Sequence, residues 1–230
     1  MDKNLIINSI KQVREKTKKR NFNQTFDFIV NLKNINIKKE GEKVDLFLVL
    51  PYKKSNKKVK VCIFVDKTLE KKATGLFDQV ILKEDFLQWK DDKKSLKKLV
   101  NSHSFFVAQA SLMPDIAKIF GKVLGVKGKM PNPKAGCVVT PDTNLNELYE
   151  RLQKIIRLET KIEPILKIPV GSEDMKDEEI SENILTIYNT IIPTLSQEKQ
   201  NIKSMMLKLT MSSSFQIEET EKAKVVEVKR

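Results

Sequence analysis

A single histidine and two cysteines in 230 residues leave little of the chemistry from which most enzyme sites are built. Zinc needs clustered Cys and His ligands, and two scattered thiols with one imidazole cannot supply them. Cys62 and Cys137 form no CxxC, which excludes a disulfide framework and fits a reducing compartment; both read as small strand or loop residues. His103 sits in Asn101-Ser102-His103-Ser104 with no GxSxG nucleophile elbow anywhere, so it is expected to be a solvent-exposed or loop residue. The acid pairs Asp91-Asp92 and Glu178-Glu179 read as solvated helix faces, not acid/base couples. No apolar run approaches the roughly 18 residues of a spanning helix, so no membrane partner is expected. The opening Met1-Asp2-Lys3-Asn4 leads into no apolar core with a small-residue cleavage site, an expectation of a cytoplasmic chain.

The few glycines also fail as nucleotide binders. Gly121, Gly125 and Gly128 follow a helical pattern, whereas GxGxxG must lie between a strand and a helix. Gly128-Lys129 resembles the end of a P-loop, but Val123 stands at its first glycine and Met130 follows the lysine. No cofactor, no metal and no catalytic residue is expected.

What is abundant is positive charge. Lys and Arg number 43 against 30 Asp and Glu, a net charge of +13. Residues 1–57 carry +8 and residues 58–156 carry +7, while residues 157–230 carry −2. A strongly basic first two-thirds points to a polyanion, with nucleic acid favoured over an anionic surface.

Periodicity divides the chain similarly. Ile6, Ile10, Val13 and Thr17 predict a helix, and Lys16, Lys18, Lys19 and Arg20 crowd its negative end. Phe26, Phe28, Val30 and Leu32 alternate with polar positions as a strand, and 44–50 predicts a second. From 59 onward strands at 59–65, 80–82, 105–108 and 138–139 alternate with helices. One runs through Phe86, Trp89, Lys93, Leu96 and Val100; another runs from Pro114 through Val123, with Gly125 just past its end. A last helix of this part, capped by Asp142 or Thr143, carries Leu145 to Ile155. The final third predicts a helix from Asp177 to Ile191, a strand through Met205, Leu207, Leu209 and Met211, and a closing pair at 215–217 and 225–228. Neither outer third has enough strands for its own core. The expected fold is therefore a split α+β domain (1–57 and 157–230) interrupted by a Rossmann-like α/β domain (58–156).

Leu124-Gly125-Val126-Lys127-Gly128-Lys129-Met130-Pro131-Asn132-Pro133-Lys134 resembles the signature of the universal ribosomal large-subunit protein L-one family, the protein of the mobile stalk. Phe105-Phe106-Val107-Ala108-Gln109-Ala110-Ser111-Leu112-Met113-Pro114 resembles its archaeal and eukaryotic branch. Asn21-Phe22-Asn23-Gln24-Thr25-Phe26-Asp27 is similar to the family's first strand, and Lys208-Leu209-Thr210-Met211 to the RNA-facing end of its C-terminal sheet. The similarity runs in order over essentially the whole chain and implies the same split architecture.

The resemblance implies a structural component of the cytoplasmic large subunit, monomeric in the ribosome, that binds stalk ribosomal RNA and acts on exit-site tRNA. Many relatives also repress translation by binding their own mRNA; a stand-alone RNA-binding repressor of the same fold is the alternative. By position Phe22, Thr25, Ser204, Thr210, Met211 and Ser212 match the family's RNA surface, with Asp27 as an addition. Strand pattern alone reads Phe22 and Met211 as rim packing and the threonines as strand formers. The loop Lys127 to Lys134 is expected to be mainly structural, with a secondary RNA contact as its other reading. Where the family has Gly-Pro after the Thr-Met pair, this chain has Ser212-Ser213; Asn21 replaces a common Lys, and Val126-Lys127 a common Pro-Arg.

Overall fold

A computed structural model describes residues 1–36, 39, 42–55 and 57–217, and leaves the side chains of residues 90, 91 and 93 undescribed. In chain order the elements are α1 (Lys3–Lys16), β1 (Thr25–Leu32), β2 (Asp45–Val49), β3 (Val61–Val65), α2 (Lys67–Ala73), β4 (Gln79–Leu82), α3 (Phe86–Asp91), α4 (Lys93–Ser102) and β5 (Phe105–Gln109). There follow α5 (Met113–Ile119), α6 (Gly121–Val126), β6 (Val138–Val139), α7 (Leu145–Lys154), β7 (Ile155–Glu159), β8 (Ile165–Ser172), α8 (Asp177–Ile191), β9 (Ile202–Leu209) and β10 (Phe215–Gln216). The chain folds into two units, one of 1–56 with 154–230 and one of 57–153.

The first unit is built on an antiparallel sheet ordered β10-β9-β1-β8. Strand β1 alternates strictly: Phe26, Phe28, Val30 and Leu32 are buried, and Thr25, Asp27, Ile29 and Asn31 lie on the other face. The buried row meets Ile6, Ile10 and Val13 of α1 and Ile180, Ile184, Ile187 and Ile191 of α8 in one core. Three acids, Asp177, Glu178 and Glu179, occupy the first turn of α8, where they complement its positive end. A separate ladder pairs β2 with β7, Asp45 opposite Glu159 through Val49 opposite Ile155. Ile155, expected at the end of a helix, thus opens a strand, because its alternation with the following residues matches β2.

The second unit holds a parallel sheet ordered β4-β3-β5-β6. Every residue of the central strand β3 is buried, as befits a parallel sheet covered on both faces. On one side Phe64, Phe86, Phe106 and Phe120 form an aromatic centre, with the Phe64 and Phe120 ring centroids 4.9 Å apart. Two helices expected to be continuous are broken. Asp92 accepts from the N–H groups of Lys94 and Ser95 and so starts α4 afresh after α3. Phe120 separates α5 from α6, which puts Gly125 inside a helix; the left-handed residue after it is Gly128, at φ +64°. Asn144, not Asp142 or Thr143, caps α7, accepting from the Asn146 N–H while its amide reaches Glu147.

The strand expected at 225–228 lies outside the described residues. β8 carries Pro169 in its interior, tolerated because β8 is the edge of its sheet and a register irregularity falls opposite, between Phe26 and Asp27. Gly171 lets β8 approach α8: a Cβ there would stand 2.8 Å from Ile180 Cγ1 and 3.3 Å from Met175 Sδ. Gly171→Ala is therefore expected to destabilise the first unit by about 1–3 kcal/mol, the cost of overpacking. Urea unfolding followed by hydrogen exchange of the β1 and β8 amides checks this.

Candidate nucleic-acid interface

Of the expected RNA residues, Thr25, Asp27 and Ser204 lie on the sheet face of the first unit that α1 and α8 leave uncovered, Thr210, Met211 and Ser212 form the turn at one end of it, and Phe22 precedes β1. Where β1 begins and β9 ends, Thr210 closes the ladder. Its N–H donates to Thr25 O (3.1 Å), and its hydroxyl accepts from the Thr25 N–H (3.1 Å). The hydroxyl hydrogen then faces Thr25 O at 3.3 Å. The turn that follows is pinned by Ser212, whose N–H donates to Leu209 O (3.0 Å) and whose Oγ accepts from the Leu209 N–H (2.8 Å). Ser212 has no left-handed φ, so a serine fills without strain the position where the family resemblance puts glycine. Met211 at the tip is 59% exposed, and Phe22, in the approach to β1, is 52% exposed. At these exposures neither side chain is packed into the core.

Asp27 lies one pleat further along the same face, in register with Lys208. Burial pushes its carboxyl above the usual carboxylate range, against the opposing pull of the Lys208 ammonium. Ser204 shares the face but not the neighbourhood: six residues before Thr210, it lies about 20 Å away along the strand. There its hydroxyl accepts from the Asn31 amide at 2.8 Å. Ile29 and Met206, paired in register, fill the middle of the face with apolar surface. Ile29, Asn31, Met206 and Lys208 were not singled out as candidates, although the period of two that places Thr25 and Asp27 places them as well.

Gln24 is a further residue that sequence reasoning missed. It is 1% exposed, and its Oε1 accepts from the Met211 N–H at 3.2 Å. Its Nε2 is buried and has no partner among the described residues. Its backbone carbonyl accepts from Glu173 N–H at 2.8 Å, which ties it to the loop between β8 and α8. That loop hangs on Arg14, whose guanidinium reaches Glu173 O and Met175 O at 2.7 Å each and Asp177 Oδ1 at 2.9 Å. A chain of polar contacts thus runs from α1 to the tip of the candidate surface. Nothing in a linear sequence marks a glutamine for that task.

The signature loop of the second unit divides. Lys129 turns inward, and its Nζ donates to Val100 O (2.7 Å) and His103 O (2.6 Å), capping the negative end of α4. Met130 packs on the aromatic core, and Pro131 is buried. Asn132 Oδ1 accepts from the Lys134 N–H at 2.9 Å. Lys127, Gly128, Pro133 and Lys134 remain exposed. His103 lies in the loop after α4, one of its two expected readings, but it is not solvent-exposed: it is only 7% exposed, with Nδ1 3.0 Å from both Leu99 O and Ser102 Oγ. It follows α4 directly, so its ring folds back on the last turn instead of entering water.

Among the described residues no group of three or more His, Cys, Asp or Glu could hold a metal ion. Burial pushes the Cys137 thiol up to about 11 and the Cys62 thiol higher still, so neither forms a thiolate readily.

A family model described as "Ribosomal protein L1p/L10e family" matches residues 13–213. The large ribosomal subunit protein uL1 of Nanoarchaeum equitans is 41% identical over 215 residues, 92% of this chain and 98% of that one. Its counterpart from Methanocaldococcus jannaschii is 36% identical, covering 97% and 99% of the two chains. That from Pyrococcus abyssi is 36% identical, covering 94% and 96%.

Two outcomes follow from this geometry. Lys129→Met is expected to cost the second unit about 1–3 kcal/mol by leaving two carbonyls without their cation, with RNA affinity unchanged. Trp89, the only tryptophan, packs on that unit's core and reports its unfolding by fluorescence. Asp27, with a raised native pKa, contributes stability below its ordinary value of 3.8 and loses that contribution as pH rises through the raised one. The unfolding free energy of the parent relative to Asp27→Asn should therefore fall across that acid window as pH increases.

Proposed function

This chain belongs to the ribosomal protein L1p/L10e family of structural RNA-binding proteins, is a component of the cytoplasmic large ribosomal subunit and is not an enzyme; from that premise we propose that it binds the stalk region of large-subunit ribosomal RNA through the open sheet face of its first unit. The observation that carries the reading is the strand end at Thr25 and Thr210, with Met211 exposed in the turn after it and Phe22 exposed in the approach to β1. Hydroxyls and backbone groups at a strand end suit the 2′-hydroxyls and phosphates by which RNA is told from DNA. Phe22 and Met211 lay apolar surface on a sugar or base face and exclude water from the hydrogen bonds around them. Asp27 offers an acceptor to a 2′-hydroxyl, with Lys208 in register beside it on β9. Ser204, at the far end of β9, extends the footprint along the same face. The excess of lysine and arginine over the first two-thirds adds salt-dependent affinity and speeds encounter.

The stalk so bound acts on exit-site tRNA during translocation. An mRNA segment folded like the stalk site presents the same hydroxyls and phosphates to the same strand end, so the chain would repress its own translation by competition between two similar RNAs.

Binding to a stalk RNA fragment at physiological salt, compared with an equal-length random duplex, tests the assignment. The parent should prefer the fragment, and Phe22→Ala should lose about 5–100-fold, as expected when one apolar contact to a base or sugar is removed. Thr210→Val should weaken binding while Thr210→Ser retains it, with thermal unfolding run on each to separate a lost RNA contact from a loosened strand end. Equal and steeply salt-dependent binding of the parent to both RNAs would overturn the assignment.

A further inference from the structure

The outer edge of the parallel sheet in the second unit faces an acidic opening for which an RNA ligand has no use. β4 pairs with β3 alone and ends the order β4-β3-β5-β6. The Asp78 N–H donates to Val61 O at 3.2 Å just before β4, so along the parallel ladder Val80 and Leu82 direct their N–H and C=O groups to β3. Gln79 and Ile81 direct theirs the other way, where no strand follows among the described residues. A cavity of about 400 Å³ opens against these residues, with Asp85, Trp89 and Asp92 on its helical side. Asp85 stands there because it precedes α3, and Asp92 because it ends α3 and caps α4.

The charge of this opening runs against that of its surroundings. Residues 58–156 carry +7, yet the charged side chains lining the cavity among the described residues are the two aspartates. Neither is in an ion pair among the described residues. The Ser95 side chain, and then its N–H, holds the Asp92 carboxyl below the usual carboxylate range, so the charge persists. Trp89 packs on the aromatic core and also borders the cavity. A polyanion is repelled by such a lining. Protection of an edge against aggregation puts charge on the strand itself, and Gln79-Val80-Ile81-Leu82 has none. An open edge flanked by carboxylates and an aromatic ring suits extended chain that carries positive charge. Main-chain hydrogen bonds to Gln79 and Ile81 attach such a chain, and its side chains two apart fall on one face and enter the cavity together. Basic arms of the kind that bind nucleic acid have this chemistry, and a particle built on RNA brings them near.

We propose that the β4 edge docks an extended basic segment of another protein, which adds to the sheet as a strand, sets Lys or Arg side chains against Asp85 and Asp92 and lays an apolar side chain on Trp89. The inference uses none of the RNA-facing residues and stands apart from the RNA-binding reading above. It gives the second unit a protein-binding edge.

The probe is the synthetic peptide acetyl-Thr-Lys-Thr-Val-Thr-Lys-Thr-amide, whose Lys, Val and Lys share a face at strand spacing; its counterpart has Glu for both Lys. Each is titrated into the full-length chain, with Trp89 fluorescence reporting occupancy and hydrogen exchange reporting the Gln79 and Ile81 amides. The lysine peptide should change the fluorescence saturably below about 1 mM and slow exchange at both amides, while the glutamate peptide should do neither. Asp85→Asn/Asp92→Asn keeps a capping side chain at 92 and should bind the lysine peptide about 2–30-fold more weakly, the loss of two partly exposed ion pairs. Asp142→Asn/Glu150→Gln removes two exposed acids elsewhere in the same unit and should bind as the parent does. No saturable change with the parent, equal binding of the two peptides, equal weakening in the two variants or unchanged exchange at Gln79 and Ile81 overturns the inference. So does slowed exchange at those amides with the stalk RNA fragment alone, which would assign the edge to RNA.

Discussion

Strand β1 lies hydrogen-bonded between β8 and β9, and the first unit depends on that position. All its partners come from the far end of the chain: Phe28 pairs with Ile168 on one side and Leu207 on the other. No sheet exists until residues more than a hundred positions apart have met, and the entropy of closing such a loop is recovered only through the shared core. The apolar row of β1 supplies that core. The inserted unit leaves and returns at neighbouring points, and the antiparallel β2–β7 ladder holds those points together on the side of the first unit. Within the inserted unit Gln153 does the corresponding work, its amide bonded to both the N–H and the C=O of Val59 at 2.8 and 2.9 Å.

The candidate RNA surface is the other face of the same strand. A period of two that buries Phe26 and Phe28 must turn Thr25 and Asp27 outward, so packing and recognition cannot be tuned independently along β1. A one-residue slip would put phenylalanines where hydroxyls are needed. Thr210 guards against this at the strand end, because its hydroxyl and its N–H both engage Thr25. Arg14 and Gln24 extend the control to the turn beyond. The residue that positions Met211 is thus held by a loop that is itself held by a helix, and the surface inherits the rigidity of the core.

Much of this was legible in the sequence, for reasons that differ by element. The alternation of β1 and β9 could be read because one face is buried and the other is not. The apolar stripe of α8 could be read for the same reason at a period of 3.6. Strand β8 could not: Pro169 interrupts its pattern, and its edge position and the register irregularity opposite make the proline harmless. The breaks at Asp92 and Phe120 were hidden because the apolar spacing continues across them; a cap competing with helix propagation decides such points locally. Phe22, Thr25, Thr210 and Met211 were placed by resemblance, and the structure brings Thr25, Thr210, Met211 and Ser212 together at one strand end. The tasks of Gln24 and Lys129 depend on partners 187 and 26–29 residues away, which no linear pattern reports.

The split topology also sets a timetable. During synthesis at roughly 5–20 residues per second, β1 emerges about 10–35 s before β9 can pair with it. Until β8 emerges the four buried apolar side chains of β1 sit on a strand with two open edges, and one edge stays open until β9 follows. The α/β insert, whose strands and helices are contiguous in the chain, is complete well before then and can fold while the first strand waits. A nascent chain of this design spends its longest vulnerable period with its recognition strand bare, which makes the newborn protein a client for whatever shields unpaired strands beside the polypeptide exit.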